Sequence, residues 1–438
     1  MSKYTREDII RIVDEEDVAF IRLQFCDLFG VPKNIAIPSS GLEKALDNKY
    51  AFDGISVEGF VRNEESDMYL YPDLDSFEIY PWRPQAGKVA RMFCNVYTAD
   101  NKPFSGDPRH VLKQVVEKAN GMGLNIKVNP LPEFFLFDYD DNGQPTTGTK
   151  ERAGYFDVAP LDQGENVRRE IILNLEEMGF NISSSHHEIA PAQHEIQFGG
   201  EEAVRAADMV MTFRMAVKTI AKKHGLYATF MPKPVEGISG SGMHMSFIAE
   251  DKDGKNIFAD ESGALSETAK QFVAGILYHV KGMTLITNPI VNSYKRLVPG
   301  YDAPVDISWS SNSANRSALI RISSDLDLNP QVEVRNPDAT CNPYLAIALL
   351  LAAGLDGIEK KMTPPEAVST RNGGAEKELD VLPLTLGEAI YAYQSDSFVK
   401  GVLGDEIYNK VLTAKKAEWK EFRTCVTKWE IDKYLNNF

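Results

Sequence analysis

The hydrophobic pattern of the chain changes character at Asp107-Pro108, and that change limits what the sequence can fold into. Ahead of it the apolar runs are short, β-branched and aromatic. Ala19 to Phe25 and Val89 to Tyr97 read as strands, the second followed by Asn, Lys and Pro turn residues. Beyond it, Asp107 can cap a helix and Pro108 suits a first turn. Val111, Val115, Val116 and Ala119 then recur at helical spacing before Gly121. A β-rich domain over residues 1–104 and a larger one over 105–438 are expected.

In the larger part helical and strand signals alternate, which suggests a sheet backed by helices. Val167, Ile171, Ile172, Leu175 and Met178 make one apolar helix face, and Glu202 to His224 make a longer helix stopped by Gly225. Strands are expected at Phe134 to Tyr139, His187 to Phe198, Tyr227 to Met231 and Met243 to Ile248. Tyr344 to Lys360 is apolar on nearly all faces and reads as a buried helix. Its apolar core is well short of the ~18 residues of a membrane span.

Charge excludes some partners. With 47 Lys and Arg against 63 Asp and Glu, the net charge is −16. An acidic balance spread along the chain argues against nucleic acid and against an anionic membrane surface. Cys26, Cys94, Cys341 and Cys425 lie far apart without CxxC spacing, and the N-terminal residues contain no apolar signal segment. A cytoplasmic location is expected.

Carboxylates inside apolar strands carry more information than surface ones, because a charge placed there should be paired or coordinating. Glu133 opens Glu133-Phe134-Phe135-Leu136-Phe137, and Glu188 and Glu195 lie in His186-His187-Glu188-Ile189-Ala190-Pro191-Ala192-Gln193-His194-Glu195. Their odd separation puts Glu188 and Glu195 on opposite faces of an uninterrupted strand; only a bend near Pro191 brings both to one site. Salt-bridged edge carboxylates are the other reading. Gly237-Ile238-Ser239-Gly240-Ser241-Gly242-Met243-His244 is a glycine-rich turn entering a strand, where backbone N–H groups can approach an anion and His244 a metal. Arg296, Arg316, Arg321 and Arg335 follow within forty residues, with Glu333 two places before Arg335. Arginine suits carboxylate and phosphate geometry, although surface ion pairs would also account for such residues.

Taken in order, Phe52-Asp53-Gly54-Ile55-Ser56-Val57-Glu58-Gly59-Phe60, His186-His187-Glu188, Gly240-Ser241-Gly242-Met243-His244, Asn292 to Tyr301 and Asn315 to Arg321 resemble the motifs of type I glutamine synthetases. The resemblance spans essentially the whole chain and is to the short subtype common in Gram-positive bacteria. It implies an α+β fold: a small N-terminal β-grasp-like domain, then a large catalytic domain with a curved antiparallel sheet backed by helices. It further implies a ligase that joins ammonia or another amine to the γ-carboxylate of glutamate through γ-glutamyl phosphate, using ATP and Mg²⁺ or Mn²⁺. Glu133, Glu188 and Glu195 match the carboxylates of a first metal, and His244 and Glu333 two ligands of a second. Arg296 and Arg335 match arginines that clamp the substrate and the transferred phosphoryl group, with Gly240 beside the substrate. Arg316 and Arg321 match those reaching nucleotide phosphates. Asp53 and Ser56 match ammonium-site residues contributed by a neighbouring subunit. Two stacked hexameric rings are implied, joined by a C-terminal segment around Trp429 and Tyr434.

The chain departs from that pattern at defined places. Leu131 replaces the other carboxylate among the second metal's three ligands, and Asp302 replaces a longer flap Glu. Ser239 replaces the usual Asn, and Ser183, Gly200, Ser246 and Ile248 stand where nucleotide contacts are expected. Asp325 and Asp327 put negative charge where the family carries positive charge, while Arg62 matches an arginine linked to feedback inhibition. The departures leave two alternatives to a ligase: a catalytically silent paralogue with a regulatory or assembly role, and an ATP-independent γ-glutamyl amide hydrolase.

Overall fold

The computed structural model describes residues 3–59, 67–311, 315, 317–324, 329–368 and 379–438. The N-terminal part contains α1 (Arg6–Glu15), β1 (Val18–Cys26), β2 (Pro32–Pro38), α2 (Leu42–Leu46), β3 (Tyr50–Asp53), β4 (Asp67–Pro72), β5 (Glu78–Ile79) and β6 (Lys88–Thr98). Helix α1 begins where Thr5 and Asp8 form a reciprocal capping box. The strands pair in the order β2-β1-β6-β4-β3, with β5 also on β6, and β1 runs parallel to β6. Ile21, Leu23, Met92 and Val96 fill its core.

The larger part continues with α3 (Pro108–Gly121), β7 (Asn125–Asp138), α4 (Glu165–Glu177), β8 (Ile182–His187), β9 (Gln193–Phe198), β10 (Glu201–Glu202), α5 (Ala203–Lys223), β11 (Leu226–Thr229) and β12 (Met243–Glu250). Then come α6 (Glu267–Thr287), α7 (Ser293–Arg296), β13 (Asp306–Ser310), β14 (Ala318–Ser324), β15 (Pro330–Val334), α8 (Pro343–Glu359), α9 (Leu386–Ser395), α10 (Ser397–Thr424) and α11 (Lys428–Tyr434). Asp107 caps α3 by accepting from the Arg109 N–H, as its sequence predicts. The sheet runs β13-β14-β15-β12-β7-β9-β8, with β10 and β11 also on β7. It is antiparallel apart from the β13–β14 pair.

One expected strand is two. His187 to Phe198 breaks after His187, turns through residues 188–192 with Ala192 at φ +63°, and returns as β9. Pro191 sits in that turn, where a missing N–H does no harm to a ladder.

Helix α8 is buried from Pro343 to Gly357, and its sequence is accordingly apolar all round. It crosses α6 at a pair of glycines. A Cβ on Gly275 would lie 2.0 Å from the Ala353 carbonyl oxygen and one on Gly357 2.0 Å from that of Gln271, so only glycine permits this approach. The two parts of the chain are joined by a polar lock. Arg109 donates to both carboxylate oxygens of Asp208 on α5 (3.0 and 2.8 Å), to Asp73 (2.8 Å) and to Asn95 (2.8 Å), and Tyr344 donates to Asp208 (2.6 Å). Among the described residues no helix is long and apolar enough to cross a membrane. Helix α11 leaves Trp429, Ile431, Tyr434 and Leu435 exposed.

Candidate active site

Strand alternation builds the site. Along β7, Ile126, Val128, Pro130, Pro132 and Phe134 are buried while Asn129, Leu131 and Glu133 between them are less so. The buried set packs on the helices, joined by Met243, Met245, Ile196, Ile320, Val332 and Val334 of neighbouring strands. The other face therefore carries a row across the sheet: Arg321 on β14, Glu333 on β15, His244 on β12, Leu131 and Glu133 on β7, Glu195 on β9 and His186 on β8. Arg321 stands opposite Glu333, His244 opposite Leu131, Glu133 opposite Glu195 and Glu195 opposite His186.

These side chains line one cleft together with Glu188, Gly240, Arg296, Asp302 and Arg335. Its volume among the described residues is about 180 Å³. A wider groove of about 1280 Å³ between α6 and α9, edged by Tyr278, Tyr391 and Leu384, gathers no comparable row.

At one end of the cleft, three carboxylates converge. Because β8 and β9 form a hairpin, Glu188 and Glu195 reach the same side despite their odd spacing. Glu133 accepts from the Gln193 amide (2.9 Å) and the Gly242 N–H (3.0 Å), Glu188 pairs with His186 (2.8 Å), and Glu195 accepts from Gln197 (2.6 Å). Lost hydration and the neighbouring Glu188 push Glu133 up to about 7. Lost hydration, with Glu133 and Glu188, also pushes Glu195 well above the usual range. Ligand atoms of His186, Glu188 and Glu195 lie within 4.8 Å of one another, so the third member of the closest group is His186, and the expected Glu133 lies outside it. Carboxylates that repel one another on a hydrogen-bonded frame suit a divalent cation, which would relieve the repulsion.

The other end differs. Glu333 receives a two-pronged Arg321 guanidinium, Nε to Oε2 at 2.7 Å and Nη2 to Oε1 at 2.8 Å, and His244 Nδ1 lies 3.1 Å from Oε1. Lost hydration lowers His244 to about 4, so its ring is neutral at pH 7. Leu131, across the ladder from His244, offers no donor atom. One imidazole and a carboxylate already held by guanidinium do not suit a second divalent cation.

The glycine-rich turn closes the floor. Gly240 and Gly242 are bare for steric reasons: a Cβ on Gly240 would lie 2.2 Å from the Pro232 oxygen, and one on Gly242 2.4 Å from Arg296 Nη2. Arg296 is buried and donates to the carbonyls of Asn336 (2.8 Å) and Arg335 (3.0 Å), so its position is set by backbone. Arg335 donates to the Asp302 carbonyl (3.0 Å), tying the sheet to the segment over the cleft; Asp302 there has φ +55°.

Asp53 and Ser56 sit at the end of β3 and in the turn after it, and neither lines this chain's cleft. Arg316, Arg62, Asp325 and Asp327 lie outside the described residues. Sequence reasoning missed Gln193, which bonds both Glu133 and the Gly240 carbonyl (3.1 Å). It also missed Glu151, which accepts from His187 Nε2 (2.7 Å) and from the N–H groups of Ala192 (2.7 Å), Gln163 (2.7 Å) and Gly164 (3.2 Å). That clamp fixes both ends of the turn carrying Glu188. Its only signal in the sequence was a charged residue in a loop.

A small sheet domain thus precedes a large sheet that presents acids and arginines on a single face. Residues 17–99 match the beta-grasp domain of glutamine synthetase and residues 105–434 its catalytic domain. The chain is 53% identical to a glutamine synthetase from Clostridium saccharobutylicum over the full length of both, and 49% identical to one from Staphylococcus aureus over 99% of each. It belongs to the glutamine synthetase family. Among solved structures, a GmaS/ADP complex superposes with a TM-score of 0.89 at 31% identity, covering 98% of this chain and 99% of that one. A cryo-EM glutamine synthetase from Plasmodium falciparum shares the fold, with a TM-score of 0.87 at 22% identity and 99% of each chain covered.

Proposed function

We propose that the protein is a carbon–nitrogen ligase that joins ammonia or another amine to the γ-carboxylate of glutamate at the expense of ATP, through γ-glutamyl phosphate. The observation that carries this reading is the convergence, in one cleft, of the Glu133, Glu188 and Glu195 group with Arg296 and Arg335. Arg296, immobilised on backbone carbonyls, offers glutamate a fixed positive charge, and Arg335 stands beside it for the transferred phosphoryl group. Mg²⁺ or Mn²⁺ held by the three carboxylates would neutralise the oxygens of the attacking carboxylate and the phosphoryl group. Arg321, with Arg316, meets the nucleotide phosphates; the likeness to a protein solved as an ADP complex supports a nucleotide as a ligand.

Asp302 accepts a proton from the incoming ammonium, and its shorter side chain leaves room for a bulkier amine. Asp53 and Ser56, which do not line this chain's own cleft, complete the ammonium side from a neighbouring subunit. Two stacked hexameric rings supply that neighbour, with the exposed apolar residues of α11 as the contact between rings. The domain division at residue 104 and a cytoplasmic location belong to the same reading.

ADP release from the purified protein, dependent on both glutamate and an amine, tests the proposal. Ammonium, methylamine and ethylamine are the amines to compare, and no turnover with any of them overturns it. Leu131 favours a second reading, a silent paralogue that binds glutamate but does not phosphorylate it. Glutamate binding by calorimetry with no ADP release would select that reading.

A further inference from the structure

The two ends of the polar row handle charge in opposite ways. Glu133, Glu188 and Glu195 lie close enough to repel one another, and each meets its own partners: Glu133 the Gln193 amide and the Gly242 N–H, Glu195 the Gln197 amide, and Glu188 the His186 ring. Glu333, three strands from Glu195 along the same face, has a guanidinium N–H on each carboxylate oxygen. The pairing follows from the ladder: Arg321 and Glu333 are direct cross-strand partners, so the fork needs no displacement of backbone to close.

A cation entering beside His244 would have to strip Glu333 from Arg321 and find its remaining ligands in water, because Leu131 presents only methyl groups across from His244. Mn²⁺ and Mg²⁺ favour six oxygen or nitrogen ligands in near-octahedral array, which this wall does not offer. A positive charge is nevertheless already there, planar, permanently ionised and facing the cleft.

We infer that this chain carries one divalent cation, at Glu133, Glu188 and Glu195, and that the Arg321 guanidinium anchored on Glu333 replaces a second cation beside the polyphosphate of a nucleotide. The inference rests on the nucleotide-binding part of the proposed function and on no step of catalysis.

Mn²⁺ counted by equilibrium titration with electron paramagnetic resonance, on the full-length protein with and without ADP, tests it. The expected result is one Mn²⁺ per chain in both conditions, with the spectrum of an isolated ion. Arg321→Gln should weaken ADP binding at least tenfold by calorimetry while leaving the affinity for Mn²⁺ alone within about twofold. Two Mn²⁺ per chain, a spin-coupled pair with ADP, or ADP affinity unchanged in R321Q would each overturn the inference. The count in the unaltered chain stands if R321Q does not fold. Absence of turnover with a count of one would remove the ligase and leave this inference in place.

Discussion

Glu133 and Glu195 face each other directly across the β7–β9 ladder, two carboxylates in a position where like charges repel. The raised proton affinity of Glu133 makes its own contribution to the stability of the metal-free protein depend on pH. Glu133 rises from an ordinary 4.5 to about 7 in the folded state, so between those values the folded chain binds more protons than the unfolded one. The stability that Glu133 contributes to the metal-free protein therefore falls as pH rises from 4.5 to about 7, while His244 and His194, whose proton affinities burial lowers, act in the opposite direction below 6.5. Calorimetric melting at pH 5, 6 and 7 after chelation should show the Tm of the parent falling relative to that of Glu133→Gln, a difference that Mn²⁺ reverses. Glu133→Gln should also abolish the Mn²⁺ effect.

Gly242→Ala tests the contact with Arg296. The added carbon would come 2.4 Å from Nη2 of a guanidinium already tied to two carbonyls, so the arginine has to shift. Overpacking of this kind costs about 1–3 kcal/mol. If Arg296 holds glutamate, KM for glutamate should rise at least tenfold while Mn²⁺ binding changes little.

Glu151 touches no ligand of the cleft, yet it joins His187 to Ala192 across the turn that presents Glu188. Both ring nitrogens of His187 meet acceptors, Glu151 and the Glu188 carbonyl (2.7 Å), and the ring's affinity for a proton is raised by these bonds against the effect of burial. Glu151→Ala should lower Mn²⁺ affinity by roughly 10–100-fold, the range for groups that orient metal ligands. The far-ultraviolet circular dichroism should stay that of the parent. Glu151→Gln, which keeps one carbonyl acceptor, should recover part of the affinity.

Arg109→Ala removes the centre of the lock between the two domains and leaves Asp208 buried beside the Tyr344 hydroxyl alone. Breaking a buried pair by deleting one partner costs roughly 3–5 kcal/mol. Urea unfolding should show that loss, and it should separate into two transitions as the domains uncouple.

Much of the fold is legible in the residues because its signals are local. The Asp107 cap, the period of α4 and α5 and the apolar run of α8 each lie within one window, and the observed boundaries fall within two residues of those expected. The break between β8 and β9 was misread as one strand. A turn of five residues between two short strands lacks the glycine pair that announces a tight hairpin, and its decisive bonds, Glu188 N–H to the Gln193 carbonyl and Glu151 to Ala192, join residues outside any local pattern.

The sequence by itself determined which side chains are available: three acids in apolar surroundings, arginines within a short stretch, and a leucine at position 131. Only the tertiary structure decided what each meets. Strand register aligned Glu133 with Glu195 and Arg321 with Glu333, making one end of the row a cluster of mutually repelling carboxyl groups and the other a closed ion pair. Charges interact through distance and hydration, and both are set by which strands lie side by side.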